Sequence, residues 1–309
     1  MHQDQEPTYH QPVMAEEVTE MLQSIGQGVV VDATFGGGGH TRRLLDALPS
    51  SVRILGIDRD PAALRTAPED DRLVVVHGRF GDLDDILDTA GIDTISGALF
   101  DLGVSSHQLD EPERGFSYRS PGPLDMRMGD NSLTAGEVVN EWPEADLARA
   151  IHTYGEERFA GRIARAICRA RPISDTEQLA GIIRDAIPAA TRRTGGHPAR
   201  RTFQALRIVV NDELGELERG LDAALDRLTP GGRCVVISYH SLEDRLVKRR
   251  FGRGAAGCQC PPDLPVCVCG RVPELVLVGR KALRPSDTEV AANPRSRSAR
   301  MRVAERAAA

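Results

Sequence analysis

Two carboxylates and a run of four glycines are the residues of this sequence best placed to do chemistry. Residues 29–40 read VVVDATFGGGGH, an apolar run that ends in Asp32 and leads into Gly36 to Gly39. The pattern predicts a buried strand followed by a turn in which a ligand lies against bare backbone. A second apolar run ends in Asp58, where a doubly wound nucleotide-binding fold places the acid that binds ribose hydroxyls. A nucleotide-like cofactor is therefore expected.

The elements that must position these residues alternate between strands and helices. Apolar runs predict four strands, and the segments Thr41 to Leu48 and Leu83 to Ala90 have helical periodicity. This βαβ pattern is typical of a parallel sheet. The predicted strands are Val29 to Ala33, Arg53 to Asp58, Leu73 to His77 and Ile95 to Asp101.

The strand pattern stops in the middle of the chain and resumes near its end. From about Glu111 to Arg201 only helical stretches are recognisable, punctuated by Pro and Gly. A long amphipathic helix is predicted over Phe203 to Leu228, followed by strands at Arg233 to Tyr239, Leu275 to Val278 and Arg300 to Ala304. The expected fold is α/β, a Rossmann-like doubly wound sheet formed by residues 1–110 and 202–309. Residues 111–201 are expected to form an inserted all-helical domain.

Composition narrows the class of protein. None of the apolar runs among the 309 residues reaches the roughly 18 residues of a membrane span, and the polar start lacks a signal-peptide core. A cytoplasmic protein without a membrane partner is expected. The net charge is −6, yet Arg158 to Arg171, Arg192 to Arg207 and Arg245 to Arg253 each carry five bases and no acid. One such cluster can be a solvated helix face, but several together favour a nucleic acid partner.

The glycine loop does not fit an NAD-binding fingerprint. That fingerprint needs glycine at the first, third and sixth positions, and counting from Gly36 the sixth position is Thr41. The carboxylate of Asp32 before the loop would repel a pyrophosphate but would attract a cationic amino group. A cofactor that carries an ammonium and a sulfonium therefore fits better than NAD.

Eight ordered motifs make the chain resemble one methyltransferase family from end to end. Asp32 to Thr41 is similar to the cofactor loop of class I S-adenosylmethionine (SAM) methyltransferases, and Leu228 to Gly232 resembles the turn before their fifth strand. More narrowly, the chain resembles the RsmH (MraW) family of rRNA small-subunit methyltransferases. The motifs are HQPVM from His10, the glycine loop, GIDRD from Gly56, DLGVSSHQLD from Asp101, RGFS from Arg114, GPLDMRM from Gly122, SYHSLEDR from Ser238 and NPRSRS from Asn293.

The resemblance implies an activity and a set of cofactor ligands. The implied reaction is methyl transfer from SAM to the exocyclic N4 of a cytidine in the decoding region of 16S rRNA, with the small ribosomal subunit as partner. The residues implied to bind SAM are Gly38, Gly39, His40, Asp58, Phe80, Asp101 and Gln108.

The groups that hold the target amine are less well defined. Asp101 ends a predicted strand, where ligand sites concentrate in open α/β sheets. The following residues, GVSS, replace the Ser/Asn/Asp-Pro-Pro-aromatic tetrad of many amino-methyltransferases. We therefore take Asp101, Ser105, Ser106, Tyr239 and His240 as candidate catalytic residues, with His240 either a base or structural.

Two further groups of residues are notable. Arg158, Arg162, Arg165 and Arg169 share one predicted helix stripe, and Arg192, Arg193, Arg200 and Arg201 flank a predicted loop, so both groups could contact RNA. Cys258, Cys260, Cys267 and Cys269 form a four-thiol group, but zinc pairs are usually spaced by two to four residues. Reduced or redox-labile thiols are the alternative, and no metal is assigned.

Alternatives to rRNA methylation remain open at this level. A methyltransferase acting on DNA or protein would share the cofactor residues. A SAM-sensing RNA-binding module without catalysis is a different class, and the retention of Asp58, Asp101 and the whole glycine loop argues against it. The sequence leaves open whether the protein is a monomer or a homodimer.

Overall fold

The chain forms two compact units. In this computed structural model the described residues are 12–104, 110–189, 196–257, 260, 264, 266 and 269–308. The first unit comprises Met1–Gly103 and Gly215–Ala309, and the second comprises Val104–Leu214. The insertion is therefore longer at both ends than the expected residues 111–201. Its end lies later because Phe203, Leu206 and Val210 are buried in the apolar core of the second unit.

The first unit is built on a seven-stranded sheet. The strands are β1 (Gly28–Asp32), β2 (Val52–Asp58), β3 (Leu73–His77), β4 (Ile95–Asp101), β5 (Leu228–Ser238), β6 (Leu275–Leu277) and β7 (Arg300–Arg306). Their order is β3-β2-β1-β4-β5-β7-β6. Strands β1 to β5 pair in parallel, and β7 is antiparallel to both β5 and β6. The predicted α/β fold with a doubly wound sheet is confirmed.

Helices follow most of the strands in the first unit. They are α1 (Ala15–Leu22), α2 (Gly39–Ala47), α3 (Pro61–Leu64) and α4 (Leu83–Thr89) in the first segment of the chain. The sheet is covered on both faces, since Val29 and Val31 lie in one apolar cluster and Val30 in another. Burial on both faces is the reason the strands read as continuous apolar runs. Of the helices that the structure describes, none is long and apolar enough to cross a bilayer.

The regular secondary structure described in the second unit is helical, apart from one isolated bridge between Pro123 and Asp175. Thr134 and Glu137 form a reciprocal capping box at the start of α5 (Ala135–Glu141), which fixes where that helix begins. Asp175 caps α8 (Thr176–Ala186) by accepting a hydrogen bond from the Gln178 backbone N–H at 2.8 Å. The helices are α5 (Ala135–Glu141), α6 (Glu144–Gly155), α7 (Ala160–Ala170), α8 (Thr176–Ala186) and α9 (Arg200–Asn211).

The prediction of one long helix over Phe203 to Leu228 was wrong. Helix α9 ends at Asn211, and a new helix, α10 (Glu213–Arg227), starts after Asp212, whose φ of +48° is left-handed. The side chain of Asn211 donates to the Met126 carbonyl at 2.8 Å and accepts from the Met128 backbone N–H at 2.9 Å. This anchoring to a distant segment fixes the helix end, and helical periodicity does not reveal it. The last helices of the chain are α11 (Ser241–Ala255) and α12 (Asp287–Ala292).

Candidate active site

Three acidic residues lie at the carboxyl ends of neighbouring strands. Asp32 ends β1, Asp58 ends β2 and Asp101 ends β4. Strand β1 pairs with β2 on one side and with β4 on the other, so the order of strands reverses there. In open α/β sheets ligands bind in the crevice outside the carboxyl ends of the strands at such a reversal. The topology therefore brings the three carboxylates to the edge of the sheet where ligands bind in folds of this kind.

The glycine loop turns the chain from β1 into α2. Gly36 and Gly38 have φ of +53° and +72°, which glycine adopts without strain. A Cβ at Gly38 would lie 2.9 Å from the ring of Phe35, and one at Gly56 would lie 2.7 Å from the same ring. Phe35 is itself 2% exposed. Packing of this buried ring is thus a second reason for glycine at both positions, beside the close approach of a ligand.

Asp58 holds the glycine loop through both of its carboxylate oxygens. Oδ2 accepts a hydrogen bond from the Gly36 backbone N–H at 2.7 Å, and Oδ1 accepts one from the Asp60 backbone N–H at 2.8 Å. Burial raises the pKa of Asp58, while these two hydrogen bonds oppose the shift. Each oxygen keeps a lone pair for a ligand hydroxyl. The residue can therefore support the loop and bind ribose together.

Asp101 is oriented by three neighbours. The hydroxyl of Tyr239 donates to Asp101 Oδ1 at 2.8 Å, and the Asp101 backbone N–H donates to Thr34 Oγ1 at 2.7 Å. His40 Nε2 lies 3.4 Å from Asp101 Oδ2. Burial and the charge of Asp101 raise the pKa of Tyr239 well above its ordinary value, so the phenol stays protonated and acts as a donor. The Tyr239 hydroxyl thus serves to orient the Asp101 carboxylate.

His40 presents a buried polar atom to this site. The residue lies in the first turn of α2 and is 6% exposed. Its Nε2 makes no hydrogen bond with the part of the chain that the structure describes. A buried polar atom of this kind usually has a partner, so Nε2 next to the Asp101 carboxylate marks a place for a polar ligand group.

His240 is engaged in capping a helix. Its Nδ1 accepts a hydrogen bond from the Glu243 backbone N–H at 3.4 Å, at the start of α11. Its Nε2 lies 3.1 Å from the Glu243 carboxylate, which in turn accepts from the Tyr239 backbone N–H at 2.8 Å. Both ring nitrogens face Glu243, an arrangement that favours the structural interpretation of His240 over the base.

Phe80 lies in the turn after β3, and a residue of the distant helix α10 holds this turn. Its ring meets Phe100 edge-on with centroids 5.8 Å apart. Glu216 of α10, only 1% exposed, accepts from the Gly81 backbone N–H at 3.0 Å and lies 3.4 Å from Arg79. Sequence reasoning missed Glu216, because nothing links positions 79–81 to a residue more than 130 positions later.

The Asp32 carboxylate is buried and is not exposed at the edge of the sheet where a ligand would bind. The residue is 1% exposed, and its carboxylate accepts from the Thr34 backbone N–H at 3.3 Å and from the Thr41 hydroxyl at 2.7 Å. The suggested direct contact with a cationic amino group is therefore replaced by a supporting role. Asp32 ties the start of the glycine loop to α2.

We expect Asp32→Asn to stabilise the protein at pH 7 in the absence of ligand. Burial raises the pKa of Asp32, so the folded state binds more protons than the unfolded state above the ordinary aspartate range. The free energy of unfolding therefore falls as pH rises from about 4, and it stops falling above the raised pKa. Asparagine keeps the shape and can bond both threonines without the buried charge.

Thermal unfolding from pH 4 to 8 checks this prediction. The melting temperature of Asp32→Asn should exceed that of the wild type by a few degrees at pH 7, and the difference should shrink toward pH 4. Thr41→Val, which removes a hydroxyl partner of Asp32, should lower the melting temperature instead. A variant less stable than the wild type at pH 7 would contradict the assignment.

Three candidate residues and part of the cysteine group lie outside the described residues. Ser105, Ser106 and Gln108 are among them, as are Cys258 and Cys267. Cys260 is half-buried and Cys269 exposed. The placement of Thr34 beside Asp101 was also missed, although the residue stands in the loop motif between β1 and Gly36.

The donors and acceptors at this edge fit a cationic, ribose-bearing cofactor. Asp58 and Asp101 supply negative charge and acceptors, and the buried His40 Nε2 is still without a hydrogen-bonding partner among the described residues. When bound, S-adenosylmethionine supplies an electrophilic methyl group on a sulfonium. The fold and this site define a class I SAM-dependent methyltransferase. The family model described as the MraW methylase family matches residues 7–307, and the chain belongs to that family.

Curated relatives cover nearly the whole chain. A ribosomal RNA small subunit methyltransferase H from Symbiobacterium thermophilum is 54% identical over 303 residues, with 95% of each chain covered. Its namesake from Geobacter sulfurreducens is 53% identical over 309 residues, covering 96% of this chain and 98% of the relative. Among solved structures, an rRNA methylase from Streptococcus thermophilus is similar over 94% of this chain and 95% of its own, at 11% identity and a TM-score of 0.42.

Proposed function

We propose that this chain methylates the exocyclic N4 of a cytidine in the decoding region of 16S rRNA, with SAM as methyl donor. The observation that carries the proposal is the match to relatives named for small-subunit rRNA methylation. Their sequences are about 50% identical to this one over almost the whole chain. The proposed partner is the small ribosomal subunit. Such a substrate would place the reaction in the cytoplasm, where bacterial ribosomes are assembled.

The geometry supports methylation of an amine of low nucleophilicity. The lone pair of the cytosine amine is delocalised into the ring, so the site must accept its N–H hydrogens and align nitrogen with the methyl group at about 3 to 3.5 Å. Asp101 is the proposed acceptor, because its carboxylate lies at the carboxyl end of β4 and is held by Tyr239 at 2.8 Å. Its negative charge would also stabilise the positive charge that develops on nitrogen.

The proposed cofactor contacts follow the positions of the strand ends. Asp58 would accept hydrogen bonds from the ribose hydroxyls, and Gly38 and Gly39 would lie under the methionine part beside His40. Phe80 would pack on the adenine, in the turn that Glu216 fixes. Asp101, next to His40, would border both the cofactor and the target amine.

The second unit is the proposed RNA-recognition domain. On α7, Ile163, Ala164 and Ile167 are buried, and Arg162, Arg165 and Arg169 are exposed. Arg158 lies before the helix begins, with its guanidinium 4.6 Å from the ring centroid of Phe159. Because the apolar side of α7 faces the core, its arginine side is available to RNA phosphates.

The substrate is tested directly with labelled SAM. The protein is incubated with small ribosomal subunits, naked rRNA or DNA, and the modified nucleotide is located by nuclease digestion and mass spectrometry. The proposal expects label on the N4 of one cytidine of the small-subunit rRNA. Label on DNA or on protein, but not on rRNA, would refute it, and binding of SAM and RNA without transfer would indicate a non-catalytic module.

Arg162→Ala is expected to weaken binding of small-subunit rRNA about threefold at 0.1 M salt and to lower the salt dependence of binding, because one exposed cation is lost. SAM affinity should not change. Filter binding over a series of salt concentrations measures the effect. Arg149→Ala, which removes an exposed arginine that pairs with Asp146 on α6, is the matched control. Equal losses in the two variants would count against a role for α7.

A further inference from the structure

Helix α11 in the first unit carries a basic surface that the proposed site does not use. Arg245, Lys248, Arg249 and Arg253 are exposed, and we call them the α11 basic face. The opposite side of the helix is buried through Glu243, Asp244, Val247, Phe251 and Gly254. The apolar contacts of α11 thus fix which way its positive charges point.

Two acids in the first turn of α11 contact groups outside the α11 basic face. Asp244 is 10% exposed and accepts from Arg302 at 2.7 Å and from Arg300 at 3.0 Å. These two arginines of β7 lower the pKa of Asp244, so it is an ionised carboxylate at neutral pH. Its charge is therefore already paired with β7. Glu243 faces His240. The fifth base of the helix, Arg250, is paired with Asp222. A protein of net charge −6 therefore carries exposed positive charge along one side of this helix.

The α11 basic face begins beside the candidate active site. Helix α11 is capped by His240, the residue after Tyr239, whose hydroxyl contacts Asp101. Arg245 follows within about one turn, and at 1.5 Å per residue the face extends about 12 Å from there to Arg253. A polyanion that places one of its groups at Asp101 could continue along these four cations.

We infer that the α11 basic face binds phosphates of the RNA strand next to the target nucleotide. The inference rests on the proposed function, since that function supplies the RNA. Lysine and arginine at exposed helical positions neutralise phosphates and release counterions, which gives affinity without sequence preference. The first unit then holds the backbone near the reacting base.

The test compares two variants that remove the same charges. Lys248→Ala/Arg249→Ala removes an exposed adjacent pair from the α11 basic face, and Arg280→Ala/Lys281→Ala removes an exposed adjacent pair outside it. Filter binding of a small-subunit rRNA transcript is measured from 50 to 300 mM KCl. The α11 variant should bind about tenfold more weakly at 0.1 M salt, and its slope of log affinity against log salt should fall by about 1.4. Its SAM affinity and melting temperature should match the wild type.

The outcomes separate this inference from the proposed function. If the wild type binds and methylates rRNA while the two double variants lose the same affinity, the α11 basic face has no special role and the inference fails alone. A wild type that does not bind rRNA overturns both. A loss of SAM affinity in the α11 variant, equal to its loss of RNA affinity, would also overturn the inference.

Discussion

Asp101→Asn is expected to lower kcat/KM for methyl transfer about 10²- to 10³-fold, with little change in the free energy of unfolding. Asparagine has nearly the shape of aspartate and can still accept from the Tyr239 hydroxyl, which lies 2.8 Å from Asp101 Oδ1. It loses the negative charge and turns an N–H donor toward the side where the target amine would donate. Removing one preorganised group at a developing charge typically costs this much in rate.

Initial rates with rRNA, together with thermal unfolding, measure this prediction. Asp46→Asn removes a charge of the same kind from the exposed surface of α2 and should keep the wild-type rate. Tyr239→Phe leaves the charge of Asp101 but removes the hydrogen bond that orients it, so a smaller loss of about tenfold is expected. An Asp101→Asn enzyme within threefold of the wild-type rate would rule out Asp101 as the acceptor.

The sheet and the strand ends were predictable because burial leaves a direct mark on sequence. A strand covered on both faces is a continuous apolar run, and the predicted bounds of Ile95 to Asp101 are the observed ones. The edge strand Leu73 to His77 is less buried, but it is also an apolar run with the predicted bounds. Once strands are parallel, their carboxyl ends share one edge, and Asp58 and Asp101 are brought to the same side without further information.

The long-range contacts that hold the site residues in place could not be predicted from the sequence in the same way. Glu216 reaches the turn of Phe80, and Tyr239 reaches Asp101, each across more than 130 positions of the chain. Such contacts depend on how elements pack, and no local period encodes them. The break at Asp212 is hidden for the same reason, because distant backbone groups at residues 126 and 128 hold Asn211.

The structure also changes the roles expected for Asp32 and Asp58. Asp32, which directly precedes the glycine loop, is buried and bonded to Thr34 and Thr41. Asp58 comes from the neighbouring strand, yet it bonds the Gly36 backbone N–H at 2.7 Å. A change at Asp58 therefore affects both the cofactor contact and the shape of the loop, whereas a change at Asp32 acts only through the loop.

Asp58→Ala is accordingly expected to weaken SAM binding by at least about 100-fold. The substitution removes the acceptor for the ribose hydroxyls and leaves the backbone N–H groups of Gly36 and Asp60 without their carboxylate partner. Hydrogen bonds to a charged group contribute about 1.5 to 3 kcal/mol each, so the loss of two exceeds a factor of 100. Isothermal titration with SAM measures the effect without any assumption about the methyl acceptor.

Asp60→Ala is the control that separates the site from its surroundings. Asp60 caps α3 by accepting from the Ala62 backbone N–H at 3.0 Å, so its loss should cost about 1 kcal/mol of stability. Its SAM affinity should stay within about threefold of the wild type, since alanine at this position keeps the backbone N–H that donates to Asp58 Oδ1. SAM should raise the melting temperature of the wild type and of Asp60→Ala but not that of Asp58→Ala. If Asp58→Ala is stabilised by SAM as strongly as the wild type, the ribose end of the cofactor cannot lie at the end of β2.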